Sequence, residues 1–229
     1  MRAVDLIAAF ELEINKINDA LNKPTTDDSL YWINQAEVKF AKDRFNGNAP
    51  KRTSYEQNEK RTRDLINLLK EQTDFDVQID DSHPSYTSYE YTYPSDMMFV
   101  LNEDVIISDQ NGNYKMDTCV FECTADSFMY RINNKLTDFH YRFHRARPLR
   151  IRTKEGFKLL TDKKYKINNY TLGYLKVPEE ITSEDPFKNY EDFEDYTWLE
   201  IIKIAAQMYI ENQSDPRYKT ITNEVLTQE

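Results

Sequence analysis

The dipeptide Asn111-Gly112 is the strongest turn signal in the chain, and it constrains the fold more than any other feature. Both residues accept the positive φ that a tight hairpin turn requires. Residues 105–107 form an apolar arm before the turn. The arm after it alternates sides as a half-buried strand does, with Tyr114, Met116, Thr118 and Val120. The pattern predicts a β-hairpin near the middle of the chain.

Strand-like patterns continue on both sides of this hairpin. Before it, apolar residues alternate with polar ones and predict a strand with an acidic outer face: Phe75, Val77 and Ile79. Three tyrosines share one side if their segment is extended: Tyr89, Tyr91 and Tyr93. After the hairpin come four further runs, at residues 139–143, 149–152, 157–160 and 170–177. Together these runs predict an antiparallel β meander or small sandwich over residues 73–177.

Helical patterns precede this β region. Residues 2–22 carry an apolar stripe at steps of three and four: Ala3, Ile7, Phe10, Ile14, Ile17 and Leu21. A second helix, through about Phe45, would bury Leu30, Ile33, Ala36 and Phe40. Thr53 and Glu56 have the spacing of a capping box for a third helix, with an inner side formed by Leu65, Ile66 and Leu69. Residues 1–72 are therefore predicted to be an N-terminal helical part.

The last part of the chain, residues 178–229, begins with an acidic connector that contains two prolines. Thr197 and Glu200 then have capping-box spacing for a helix that runs to about Gln213. One face of that helix carries Trp198, Ile201, Ile202, Ala205 and Tyr209. The predicted fold class is α+β, with N-terminal helices, a central antiparallel β part and a C-terminal helix.

Composition excludes several classes of protein. A net charge of −10 argues against a protein that coats nucleic acid, and four glycines leave little material for Gly-rich phosphate loops. No signal peptide is predicted, and no stretch approaches the roughly 20 apolar residues that cross a bilayer. Cys119 and Cys123 would stand roughly 13 Å apart on one strand, too far to bridge. We predict reduced, buried thiols in a protein made in the cytosol.

Patterns that would carry catalysis or bind metal are weak. Cys119 and Cys123 with His140 and His144 offer four zinc ligands, but the histidines alternate with aromatic residues as on the polar face of a strand. We therefore predict no catalytic, cofactor or metal site. Asp96 and Glu122 loosely resemble the carboxylates of a restriction-type nuclease, although Thr124 stands where the usual lysine would be.

Charge is distributed unevenly along the chain. Residues 131–176 are rich in Lys and Arg, whereas residues 178–195 carry eight carboxylates: Glu179, Glu180, Glu184, Asp185, Glu191, Asp192, Glu194 and Asp195. A chain that presents both signs can associate head to tail with copies of itself, because each copy offers both halves of the contact. The basic segment, with its interleaved aromatic residues, is also compatible with a DNA path.

Three stretches carry a resemblance to a known family. They are DLIAAFELEINKIND with TTDDSLYWINQAEVKFAKDRF near the start, YTYPSDMMFVL leading into the β region and YLKVP, and WLEIIKIAAQMYIEN followed by DPRY. Together they resemble virion structural proteins of crAss-like tailed bacteriophages, and most closely the head–tail connector or ring proteins below the portal. The resemblance implies a ring, commonly dodecameric, that docks on the portal or a neighbouring ring. It also implies that genomic DNA passes through the ring, with no enzyme activity, cofactor or membrane partner.

On this basis we expect a protein of the virion neck that is assembled in the host cytoplasm. Our candidate residues for contacts between copies or with ring partners are Arg142, Arg145, Arg147, Arg150, Glu191, Asp192, Trp198, Ile202 and Tyr209. The alternatives are a metal-dependent nuclease or DNA-packaging accessory that uses residues 142–154, and an adaptor between partners that are not phage proteins.

Overall fold

A computed structural model describes residues 1–17, 23–46, 59–73 and 75–213. Its helices are α1 (Ala3–Ile17), α2 (Thr26–Asn46), α3 (Glu59–Asp64), α4 (Phe128–Asn133) and α5 (Asp195–Asn212). The strands are β1 (Leu69–Gln72), β2 (Val77–Asp80), β3 (Thr87–Thr92), β4 (Met97–Asp109), β5 (Met116–Cys119), β6 (Phe121–Glu122), β7 (Leu149–Arg152), β8 (Gly156–Thr161) and β9 (Tyr165–Lys176). The predicted α+β class is confirmed.

The chain folds into two compact units. One is helical and joins Met1–Leu68 to the segment that starts at Val177, so that both ends of the described chain contribute to it. The other is β-rich and spans Leu69–Lys176. The sequence predicts three parts, with boundaries after residues 72 and 177. In the structure the first and the last of these parts belong to one compact unit.

The helical unit has its core where α1 and α2 pack against α5. The predicted inner residues of α2 are all buried: Leu30, Ile33, Ala36 and Phe40. In α1, Ala3, Phe10 and Ile14 are buried as predicted, whereas Ile7 is only partly buried and Leu6 takes its place in the core. The side chain of Ile17, and Leu21, lie outside the described residues. Edge-to-face ring contacts join these elements: Phe10 of α1 packs on Tyr209 of α5, and Phe40 of α2 packs on Phe193, just before α5.

The acidic connector is an ordered part of this unit. Asn34 exchanges two hydrogen bonds with the backbone of Ile181, at 2.9 and 3.0 Å. Met1 and Tyr190 likewise exchange hydrogen bonds, at 3.1 and 2.9 Å. The connector is therefore fastened both to α2 and to the first residue of the chain.

One predicted helix start differs from the structure, and another is not tested by it. The capping box at Thr197 is wrong, because α5 begins at Asp195 with Glu194 as its N-cap residue. The carboxylate of Glu200 instead pairs with Arg44 and with Lys60. The capping box of the third helix lies outside the described residues.

After α3 a 3₁₀ turn, Ile66–Leu68, leads directly into β1. Leu65 is buried as predicted. Ile66 is half exposed on the turn and Leu69 is exposed at the start of the strand, so their predicted burial is wrong. The apolar spacing was that of a longer helix, but the chain leaves the helix at Asp64.

The β-rich unit is a two-sheet sandwich in the described residues. One sheet has the order β1-β9-β4-β5 and the other β2-β3-β8-β7-β6, with antiparallel pairing except between β6 and β7. The longest pairing joins β4 to β9, from Met97 opposite Lys176 to Asp109 opposite Tyr165. The core between the sheets is rich in tyrosine, with Tyr91 stacked on Phe157 and tilted against Tyr170.

Most predicted strands are confirmed. Residues 149–152 form β7, residues 157–160 lie in β8 and residues 170–176 lie in β9. Tyr89 and Tyr91 are buried on β3, and Tyr93 packs beside them. Residues 139–143 do not form a strand; they belong to a loop that buries Phe139. Val77 and Ile79 are exposed, because β2 is an edge strand that offers neither face to the core.

The hairpin around Gly112 is confirmed, but its turn is longer than predicted. The N–H of Gly112 donates to the carbonyl of Asp109 at 3.0 Å, and Gly112 has a φ of 85°. Tyr114 also has positive φ, at 52°. The connection therefore spans residues 110–115 between β4 and β5, instead of the two residues of a tight turn.

Two glycines in the sandwich provide a matched stability test. A Cβ on Gly156 would lie 1.8 Å from the backbone oxygen of Tyr91, whereas a Cβ on Gly173 would meet the side-chain oxygen of Asn102. Backbone cannot move aside without breaking the β3–β8 pairing, but the Asn102 side chain can rotate. We expect Gly156→Ala to lower the free energy of unfolding by about 3 kcal/mol, and Gly173→Ala by at most about 1 kcal/mol. Urea unfolding of both variants measures this, and equal losses would contradict the fold.

A buried carboxyl in the helical unit gives a pH prediction. Glu37 is 2% exposed, and its Oε1 has no hydrogen-bond partner among the described residues. Burial, and then the charge of Asp192, raise the pKa of Glu37 well above its ordinary 4.5. A raised folded-state pKa means that the folded state binds the proton more tightly. The free energy of unfolding should therefore fall as pH rises from about 4.5 through the raised pKa.

Replacing Glu37 with glutamine should remove this fall and make the unit more stable at neutral pH. Chemical denaturation at several pH values, followed by tryptophan fluorescence, measures it, because Trp32 and Trp198 both lie in the helical unit. Glu180→Gln, at an exposed carboxylate, is the matched control. A Glu37→Gln profile parallel to that of the wild-type chain would contradict this assignment.

Candidate functional site

Three loops meet at one end of the β-rich unit and form what we call the loop surface: residues 110–115, 139–147 and 162–164. They meet because β4 ends where β9 begins, with Asp109 paired to Tyr165. The Gln110 side chain donates to the carbonyl of Lys163 at 2.6 Å and so links the first loop to the third. The long β4–β9 pairing thus brings together loops that are far apart in sequence.

The middle loop is fastened to the unit at several points. Phe139 and Ala146 are buried. The N–H of Tyr141 donates to the carboxylate of Asp162 at 2.7 Å, and the N–H of Arg147 donates to the carbonyl of Asp138 at 2.8 Å. Residues 142–145 lie between these attachments and project as a tight turn.

That turn has an unusual backbone. Arg142 and Arg145 exchange backbone hydrogen bonds of 3.0 and 2.8 Å, with Phe143 and His144 between them. These two residues have φ of 49° and 62°, as in the tight turns where Asn and Gly are usual. The ring of His144 stacks on Tyr114 of the first loop, with centroids 3.8 Å apart. The turn is therefore held in a conformation that its residue types disfavour.

Backbone strain in the described chain is concentrated on this surface. The non-glycine residues with positive φ in that part of the chain all belong to the three loops: Tyr114, Phe143, His144 and Lys163. Such conformations persist only where surrounding structure holds them, and they cluster at functional sites. Phe143 is also 93% exposed, a high value for a large apolar side chain.

The loop surface is cationic. Arg142 and Arg145 are exposed and form no ion pair with any described residue, whereas Arg147 lies 3.8 Å from Asp138. Beneath them is an open pocket of about 590 Å³, also lined by Cys119. Cys119 is exposed and Cys123 buried, so the prediction of two buried thiols is correct only for Cys123.

Arg150 has a different environment from its neighbours in sequence. It is 3% exposed and pairs with Glu103, and its second nitrogen lies 2.7 Å from Glu122. The Tyr170 hydroxyl donates to Glu103 at 2.7 Å, and burial, with the Glu103 charge, raises the pKa of that hydroxyl. Burial alone would raise the pKa of Glu122, but Arg150 and Arg152 lower it. In the folded subunit Arg150 is thus an internal partner of two carboxylates.

The other candidate contact residues lie in the helical unit. Trp198, Ile202 and Tyr209 are at most 4% exposed and form part of its core. Glu191 is exposed, and Asp192 accepts the N–H of Glu179 at 2.6 Å. Residues 179–195, which we call the acidic segment, also expose Phe187 at 71%. None of the nine candidate contacts is tested by the subunit alone, so all stay predictions.

The two nuclease-like carboxylates have internal partners. Asp96 accepts a hydrogen bond from Lys70 at 2.6 Å, which lowers its pKa, and another from the Tyr174 hydroxyl at 3.0 Å. Glu122 pairs with two arginines. In the part of the chain that the structure describes, no three His, Cys, Asp or Glu side chains are grouped to hold a metal ion. No helix among the same residues is long and apolar enough to cross a membrane.

The buried ion pair at Arg150 gives a stability prediction. Arg150→Met leaves the partly buried carboxylate of Glu103 without its cation, which we expect to cost about 3 kcal/mol. The double variant Arg150→Met/Glu103→Gln removes both charges and keeps an acceptor for Tyr170, so it should be more stable than Arg150→Met alone. Thermal or urea unfolding of Arg150→Met, Glu103→Gln and the double variant measures this. Additive losses would show that the pair contributes no coupling.

Comparison with known proteins gives the family. No curated protein matches the chain. The family described as phage tail ring protein 3/4, of the crAss group, matches residues 10–185, which include all of the β-rich unit, part of α1, and α2 and α3, but not α5. The match covers more than half of the 229 residues and agrees with the resemblance found in the sequence. The chain therefore belongs to the phage tail ring protein 3/4 family of crAss-like phages, and it is a structural ring protein of the virion.

Proposed function

We propose that the protein forms a ring of the head–tail connector and extends the DNA channel between portal and tail. The observation that carries this proposal is that one subunit has two exposed surfaces of opposite charge. The loop surface is cationic, and the acidic segment is anionic. A contact between unlike surfaces on successive copies is heterologous. Such contacts form a closed ring when the rotation from one copy to the next divides a full turn evenly.

Several charges on each surface have no ion-pair partner among the described residues. Arg142 and Arg145 form no ion pair among the described residues, and the same holds for Glu180, Glu184 and Glu194. Opposite charges left exposed in this way favour association and fix its register, because like charges repel in wrong arrangements. In the proposed ring Arg142, Arg145 and Arg147 of one copy face Glu191 and neighbouring carboxylates of the next copy.

The remaining partners follow from this position in the virion. We propose a twelve-membered ring that docks on the portal protein and on a neighbouring ring or tail protein after assembly in the host cytoplasm. Genomic DNA passes through its lumen. A net charge of −10 suits a DNA channel, because a subunit with a negative net charge does not bind phosphates tightly.

We also propose that the protein is not an enzyme. The nuclease alternative depended on Asp96 and Glu122, and both carboxylates are engaged by cations of their own unit. No contact among the residues that the structure describes favours DNA cleavage. The ring role is the better supported of the two.

Complementary charge reversal tests the proposed contact. Arg142→Glu/Arg145→Glu reverses the loop surface, and Glu180→Lys/Glu184→Lys reverses the acidic segment. Each double variant alone should self-associate at least about tenfold more weakly than the wild-type chain, because each contact then joins like charges. A one-to-one mixture should recover association, because reversed surfaces pair with each other and native surfaces do the same.

Sedimentation velocity over a concentration series measures both effects. Lys42→Glu/Lys154→Glu, at two exposed lysines outside both surfaces, has the same change in charge as the first variant and is the matched control. A wild-type chain that stays monomeric at every concentration would contradict self-assembly. Equal association by the variants and the control would contradict the proposed surfaces.

A further inference from the structure

We propose that the turn at residues 142–145 is a preformed anchor whose Phe143 ring is buried against the acidic segment of a second copy. This inference rests on the proposed function and goes beyond it, because it identifies the apolar contact at the centre of an otherwise ionic interface. The backbone of the turn, the exposure of Phe143 and the charges around it each support the inference.

The backbone of the turn is one that its residue types do not favour. Two-residue turns with positive φ favour Asn-Gly, yet this chain has Phe143-His144 there. Two backbone hydrogen bonds and the stack of His144 on Tyr114 hold the turn in place. The Tyr141 hydroxyl adds a hydrogen bond to His144 at 3.3 Å. An anchor that is already ordered loses little conformational freedom when it binds.

Phe143 packs against almost nothing in the described part of the subunit. It is 93% exposed, and it makes no ring contact with any described residue. By contrast, its neighbour His144 contacts both Tyr114 and Tyr141. An exposed aromatic side chain between two exposed arginines has the composition of an interface hot spot, where aromatic and Arg residues dominate the binding energy.

The acidic segment of a second copy fits this anchor better than DNA does. It offers unpaired carboxylates for the two arginines and an exposed apolar ring, Phe187, for Phe143. Beside the segment is an open pocket of about 550 Å³, lined in part by Glu191 and Glu194. DNA phosphates would satisfy the arginines but would leave Phe143 in water unless bases unstacked, and the net charge of −10 opposes DNA binding.

Two substitutions at one position separate binding from folding. Phe143→Asn relaxes the turn, because Asn tolerates positive φ, but it removes the ring. Phe143→Tyr keeps the ring and the strain. We expect Phe143→Asn to melt at the same or a higher temperature than the wild-type chain and to self-associate at least about tenfold more weakly. We expect Phe143→Tyr to associate as the wild-type chain does.

The experiment combines sedimentation velocity of the full chain with thermal melts of each variant. Tyr130→Asn, at a 71% exposed aromatic residue on α4, is the matched control and should leave association unchanged. If the wild-type chain associates and Phe143→Asn associates equally well, the anchor is wrong while the ring proposal stands. A monomeric wild-type chain would overturn both.

A second readout tests DNA as the occupant. Fluorescence anisotropy with a short labelled DNA duplex is measured for the same variants. Loss of duplex binding by Phe143→Asn, with association unchanged, would show that the turn faces DNA and would overturn the inference. Weaker association with unchanged duplex binding supports it.

Discussion

The antiparallel pairing of β4 with β9 is the interaction on which the rest of the β-rich unit depends. It runs the length of both strands and places the end of β4 beside the start of β9. The loops that leave these two ends therefore emerge side by side, and the loop at residues 139–147 is fastened to them through Asp162. The loop surface is thus a consequence of one strand pairing and its register, and residues far apart in sequence meet there.

Position in the fold decides what each charged residue can do. Arg142, Arg145 and Arg150 lie close together in sequence, but only the first two reach solvent. Arg150 is buried on β7 and neutralises Glu103 and Glu122, so it contributes to the stability of the sandwich. The same distinction applies in the helical unit, where Glu37 is buried and Glu180 is exposed. In the ring that we propose, association between copies depends on exposed charges that have no ion pair among the described residues.

Sequence patterns predicted the elements well and the site only in part. Period-two and period-three-to-four apolar patterns located β7, β8, β9, α2 and α5, because burial of one face imposes those periods. The same patterns wrongly predicted burial of Val77 and Ile79. These residues alternate with polar ones, but they lie on an edge strand that does not pack against the core. The patterns also gave no warning that Phe143 lies in a strained turn, because positive φ at a residue that disfavours it depends on tertiary contacts. The signal that remained was compositional: arginines beside aromatic residues between strands.

The central claim is that the loop surface of one copy contacts the acidic segment of the next, and zero-length carbodiimide cross-linking of mixed ¹⁵N-labelled and unlabelled chains tests it most directly. Lys163 and Asp81 lie 3.1 Å apart within one subunit, so their product serves as the internal standard. We expect products of mixed isotopic composition that join Lys115 or Lys164 to carboxylates of residues 179–195. Mixed products that join other surfaces, or products confined to single chains, would contradict it.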